Sequence, residues 1–152
     1  MIGLLQRVSQ ARVTVDGEVT GEIGPGLLVL LAVEAGDSAA QAERLVERLV
    51  GYRVFPDAAG RMNLSLADTG GGLLLVPQFT LAADTSKGMR PGFASAAAPG
   101  HGGILFDHAV NEARRRLGER VATGRFGAHM QVSLTNDGPV TFWLRVEPSA
   151  GR

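Results

Sequence analysis

Few residues in this chain could do covalent chemistry, and their spacing excludes most familiar ways of doing it. The 152 residues include no cysteine, which removes thiol nucleophiles, thiolate metal ligands and disulfides together. The histidines are His101, His108 and His129. His101 and His108 lie about two helical turns apart, but no H-E-x-x-H and no carboxylate at ligand spacing accompanies them. A hydrogen-bonded surface histidine is the expectation for each, and neither a metal nor a cofactor is expected. Neither a G-x-x-x-x-G-K-[ST] loop nor a strand-linked G-x-G-x-x-G is present, so nucleotide hydrolysis and dinucleotide redox chemistry have no support. One hydroxyl, Thr80, stands in Pro77-Gln78-Phe79-Thr80-Leu81 at the end of an apolar run. A nucleophilic threonine needs a base beside it, and no triad pattern supplies one. The alternative is that Thr80 hydrogen-bonds backbone at the strand end.

A second segment stands out for its backbone. Asn136-Asp137-Gly138-Pro139-Val140-Thr141 places a Gly-Pro pair between two strand-like runs. Only X-Pro bonds adopt cis at modest cost, and glycine bares the corner so that backbone can approach a ligand closely. With no conventional set of acid, base and nucleophile, what remains is a site built from backbone. Such a site can accelerate the hydrolysis of an activated bond by positioning it and by aiming N–H donors at it.

The elements that must carry these segments read as a single β-rich α+β domain over residues 1–152 with two main helices. Arg12-Val13-Thr14-Val15 alternates polar and apolar, Asp16-Gly17 marks a tight turn, and Glu18 to Ile23 returns as a second strand. Leu27 to Val33 and Leu73 to Val76 are apolar runs expected as strands buried on both faces. Ser38 and Gln41 form a candidate capping box for a helix whose Ala42, Leu45, Val46 and Leu49 repeat at helical spacing until Gly51. Tyr52 to Phe55 is expected as a short strand. Ala82 to Gly103, rich in Gly, Ala, Pro and Ser, reads as a long functional loop. A second helix presents Phe106, Ala109, Val110, Ala113 and Leu117 on one face. Three strands are expected to close the chain, at Val121 to Arg125, Met130 to Thr135 and Val140 to Val146.

With 45% hydrophobic and 20% charged residues, the chain can bury a real core. Its formal net charge is zero, whereas a protein that holds nucleic acid mainly through phosphates is usually basic. Local basic density exists at Arg114, Arg115, Arg116, Arg120 and Arg125, and at Lys87 and Arg90. The arginine run reads equally well as a solvated helix face or as a phosphate-binding patch. The longest apolar run is far too short to span a bilayer, and the first residues lack the pattern of a secretory signal, so cytoplasmic residence is the default expectation.

The N-x-G-P-x-T segment and the Q-F-T-L segment resemble the two signature motifs of the D-aminoacyl-tRNA deacylases. The resemblance extends from Arg7-Val8-Ser9-Gln10-Ala11-Arg12-Val13 through Thr80 to Thr85 and on to the Phe126–Thr141 block. It implies a compact β-β-α fold, a homodimer with its active site at the subunit interface, and hydrolysis of the ester between a D-amino acid and the acceptor end of tRNA. No DNA and no membrane partner is implied. Gln78, Phe79 and Thr80 would line the ester site, Phe126 and Met130 the pocket for the terminal adenosine, whose own 2′-hydroxyl would assist hydrolysis. Gly138 and Pro139 would enter the partner subunit's pocket as a cis peptide and exclude L side chains, with Arg7 orienting their loop. Exclusion of that kind admits glycine, which has no side chain to reject. Pro77 departs from the family pattern, where serine is usual, and Met89 and Gly92 depart from the more basic and polar residues common in the loop that follows. Proline deletes an N–H and fixes φ, which leaves a relaxed or L-selective editor as the alternative. A non-catalytic RNA-binding dimer is the rival from another class.

Overall fold

The computed structural model describes residues 1–148; the last four positions of the expected 1–152 domain lie outside the described residues. Its organising element is β1 (Ile2–Val15), a strand far longer than the Arg12–Val15 segment anticipated. Two partners share one edge of it. The first half pairs antiparallel with β3 (Gly26–Ala32) and the second with β2 (Glu18–Ile23). The parallel neighbours β6 (Gly72–Pro77) and β7 (Val121–Thr123) extend the sheet from β3. Gly21 of β2 passes so close to β7 that a β-carbon there would sit 2.4 Å from Thr123 O, so the sheet curls back toward its own start.

The opposite edge of β1 is covered along its length by β8 (Gln131–Arg145). The two final strands expected from sequence are thus one strand, interrupted by a bulge. Gln6 pairs with Thr141 and Val8 with Asn136, so Arg7 alone stands opposite residues 137–140. The outer edge of β8 has no strand partner among the described residues, and Phe142 and Trp143 project from it into solvent.

Alternation along β3 and β6 buries both faces, as the apolar runs required. Leu27, Val29, Leu73 and Leu75 pack under the helices, while Leu28, Leu74 and Val76 meet Val8, Val13 and Ile23 inside the curl. The helical layer is α1 (Ala39–Gly51) and α3 (Pro99–Leu117). The Ser38 N–H donates to Gln41 Oε1 at 2.8 Å, completing the anticipated capping box. Helix α3 begins earlier than expected, so the last residues of the Ala82–Gly103 segment are helical; Pro99 at the first turn, where no N–H is needed, compensates for the glycines that follow. A short α2 (Leu66–Thr69), capped by Ser65 and Asp68, was not anticipated. Tyr52 to Phe55 is a strand only at its end, where β4 (Phe55–Pro56) pairs with β5 (Met62–Leu64).

A buried charge cluster ties the start of β1 to the end of β3. The Met1 ammonium donates to Glu34 Oε2 and Asp37 Oδ1, each at 2.9 Å, and to Val146 O at 2.7 Å. Arg145 donates to both oxygens of Glu34. Burial alone would raise the Glu34 carboxyl, but the Arg145 guanidinium and the Met1 ammonium outweigh it and hold the group below its ordinary value.

Candidate functional site

The 83–98 segment is irregular but not loose. Asp84 and Gly92 exchange backbone hydrogen bonds of 2.7 and 2.9 Å, closing its tip. Further on, Ser95 O accepts from Ala35 N and Ala97 N donates to Val33 O, and His101 Nε2 lies 2.8 Å from Asp37 O. The charge cluster that anchors the Glu34–Asp37 turn therefore also fixes where this segment runs.

Between that segment, the end of β6 and residues 126–132 lies a mostly apolar cavity of about 680 Å³. Such a concave apolar site with a few polar groups at its edge suits a small ligand or the end of a larger one. It brings together Gln78, Phe79, Phe126 and Met130, four of the residues singled out from sequence, and Pro77 lies in its wall. Sequence reasoning missed Phe93, Phe106, Ala97 and His129, which also line it. The Phe93 ring packs at a tilt against that of Phe79 with centroids 5.3 Å apart, and it comes from the segment expected as a functional loop.

The backbone at the end of β6 is well defined. Pro77 is the last residue paired with β3, opposite Leu31, and Gln78 N donates to Leu31 O at 2.8 Å. Its missing N–H falls where the strand ends, so the sheet absorbs the proline. The chain then turns into a 3-10 helix over Phe79–Ala82, whose first internal bond runs from Leu81 N to Gln78 O. The Phe79 and Thr80 N–H groups precede that bond and have no acceptor within the turn. Thr80 does not line the cavity; its hydroxyl is held by a short hydrogen bond from Gln78 Nε2. No base is within hydrogen-bonding reach of it among the described contacts.

Arg7, Gly138 and Pro139 are absent from the cavity of their own chain. The Gly138-Pro139 peptide is cis and exposed on β8. Its surroundings are rigid. Arg7 Nε donates to Asp137 O at 2.9 Å while Arg7 Nη1 donates to Val54 O at 2.7 Å. The Asn136 side chain accepts from Val140 N at 2.7 Å and donates to Thr141 Oγ1 at 2.9 Å. Arg7 is therefore no ordinary surface charge; it is the one residue facing the bulge, and it clamps it.

Among the described residues no group of side chains could hold a metal ion, and no helix is long and apolar enough to cross a membrane. His108 lies 3.0 Å from Glu43 on the surface. In the arginine run, Arg115 and Arg116 both pair with Glu112, whose carboxyl these hydrogen bonds lower to about 2.

Residues 4–145 match the family model described as D-Tyr-tRNA(Tyr) deacylase. A D-aminoacyl-tRNA deacylase of Thioalkalivibrio sulfidiphilus is 68% identical over 97% of this chain and 99% of its own. That of Nitrosococcus oceani is 62% identical over 98% of this chain and 96% of its own. A solved structure of the c-Myc DNA unwinding element binding protein superposes with a TM-score of 0.93, at 36% identity over 97% of this chain and 99% of the other. With a match of that length, with both signature segments in place and with the cavity built around one of them, the chain belongs to the D-Tyr-tRNA(Tyr) deacylase family.

Proposed function

We propose that this protein is a D-aminoacyl-tRNA deacylase that hydrolyses the ester linking a D-amino acid, or glycine, to the 3′ end of tRNA. The observation that carries this reading is the cavity walled by the 77–79 segment in a chain matching its family over residues 4–145. An aminoacyl ester is already activated, so orientation and directed N–H donors suffice to accelerate its hydrolysis. We assign that role to the N–H groups of Phe79 and Thr80, which have no acceptor within their own turn, and Thr80 positions rather than attacks. Phe126 and Met130 receive the terminal adenosine, whose 2′-hydroxyl assists. The protein needs no cofactor, and its place is the cytoplasm, where its substrate is made and used.

The functional unit is a homodimer, and residues 1–152 form one domain of it. Two features support the dimer. The outer edge of β8 exposes unpaired backbone with Phe142 and Trp143 beside it, a surface that a monomer would have to protect. The hydrogen-bonded Gly138-Pro139 corner also lies outside the lining of its own cavity and is exposed, which leaves it available to a partner's. There its backbone occupies the space an L side chain would need, and Arg7 holds it in register.

Incubation of the purified protein with D-tyrosyl-, L-tyrosyl- and glycyl-tRNA tests this directly. Release from the D and glycyl esters with the L ester spared is expected. Release from the L ester would point to a pocket remodelled at Pro77. The likeness to a DNA-unwinding-element-binding protein keeps a second reading in view, a nucleic-acid-binding module without turnover. Binding of the tRNA with no ester lost would favour it.

A further inference from the structure

Two apolar side chains of the cavity, Met130 and Phe126, rest in part against glycines. A β-carbon added to Gly124 would lie 2.8 Å from Met130 Sδ, 3.4 Å from Pro77 Cδ and 3.5 Å from Val76 Cγ1. Gly124 is buried, its N–H donates to Leu75 O at 2.9 Å, and its φ lies outside the left-handed region. Nothing in its backbone conformation therefore calls for glycine. Only the contact with Met130 is too short; Pro77 and Val76, paired with Leu31 and Leu30 of β3, would meet the methyl at ordinary distance. The thioether ends an unbranched side chain with three rotatable bonds, half-buried against the inner core and touched by Arg125 N at 3.4 Å. A methyl at 124 must displace Met130, and the open direction is the cavity that Met130 already lines.

On the neighbouring wall the Phe126 ring lies against the first turn of α3, where β-carbons on Gly102 and Gly103 would meet it at 3.4 Å in ordinary contact, so only Gly124 is crowded.

We propose that Gly124 is a positioning residue that sets how far Met130 reaches into the cavity, and thereby the room left for the terminal nucleoside of the substrate. The inference rests on the reading of this cavity as the seat of the tRNA 3′ end. It separates a close-packed contact that stabilises the fold from one that sets the shape of the site.

A double-mutant cycle makes the distinction, because only an effect transmitted through Met130 vanishes when that side chain is shortened. The probe is D-tyrosyl-adenosine joined through a non-hydrolysable 3′ amide, its dissociation constant measured by calorimetry. Gly124→Ala is expected to weaken binding about tenfold, the order by which one misplaced methyl group alters pocket affinity. In the Met130→Ala background the same substitution is expected to change nothing. A loss of equal size in both backgrounds, or no loss in either, overturns the proposal, as does failure of the unaltered protein to bind the probe. If Gly124→Ala alone does not fold, the double variant with Met130→Ala must fold and bind the probe as Met130→Ala does, and one that does not overturns the proposal. Turnover of D-tyrosyl-tRNA by the unaltered protein, followed in parallel, tests the deacylase reading alone. Binding of the probe without turnover would sink that reading while the cycle still decides the role of Gly124.

Discussion

Gly138→Ala is expected to reduce release of D-amino acids by about a hundredfold, the scale set by misplacing a positioning group by an ångström. The added methyl would lie 2.7 Å from Val140 Cγ2, 2.9 Å from Val140 N and 3.3 Å from Arg7 Nη2, at a φ of +147° that side chains rarely adopt. The bulge cannot swing aside to make room, because Arg7 grips Asp137 O and the Asn136 side chain bridges to Val140 and Thr141. Gly138 itself is exposed, but Val140 belongs to the core, so part of the thermal stability is lost as well and rates are compared well below the variant's melting temperature. Single-turnover assays on D- and L-tyrosyl-tRNA, read beside a melting curve, check the expectation. Rates and D/L preference equal to those of the unaltered enzyme would mean that this corner does not face the substrate.

The second large effect falls on stability. Gly26→Ala is expected to cost more than about 4 kcal/mol, which exceeds what most single substitutions do and approaches the whole stability of many domains. Gly26 opens the parallel pairing of β3 with β6 opposite Gly72. A β-carbon there would lie 1.9 Å from Gly72 O, at a φ of +158°. The two strands bury both faces of the molecule's centre, so neither can withdraw without opening both layers of core. Gly60→Ala is the control. It shares a positive φ of +77° but has open space around it, so it should lose only the left-handed backbone penalty of about 1–2 kcal/mol. Urea denaturation of the two variants should separate them clearly, and similar midpoints would mean that the close approach to Gly72 is not what holds this pairing.

The parts of the fold legible in the sequence were those where local pattern and tertiary environment agree. The runs at 27–33 and 73–76 are apolar without alternation because both faces are covered, and the Ser38–Gln41 box marks a helix start by its own hydrogen bonds. What stayed hidden depends on partners far away in the chain. The 136–139 segment reads as a break between strands, yet β1 supplies a continuous edge that carries β8 past it as a bulge. The start of α3 is rich in glycine, which argues against a helix locally, yet Pro99 at its first turn and the packing of Leu105 and Phe106 in the core carry it. At the site, Gln78, Phe79, Phe126 and Met130 do line one cavity. The packing of Phe93 on Phe79 left no trace in the sequence, since a lone aromatic in an irregular segment has no period to betray it. Thr80 shows the converse. Its place in the motif leaves open whether it acts or only hydrogen-bonds, and its hydroxyl accepts from Gln78 Nε2 outside the cavity lining.

The separation of the Gly138-Pro139 corner from the cavity of its own chain has a genetic counterpart. In the proposed dimer each site draws its wall from one polypeptide and its selective corner from the other, so two different defects can compensate. A subunit disabled at the corner by Gly138→Ala still offers an intact cavity, and one whose cavity is plugged by Ala97→Trp still offers an intact corner. Each parent alone is inert, but random reassociation makes half of the dimers mixed, each with one sound site, so that about a quarter of the original sites return. Alleles of this kind would complement each other in a cell carrying both, and a single altered copy would damage sites assembled from an unaltered one.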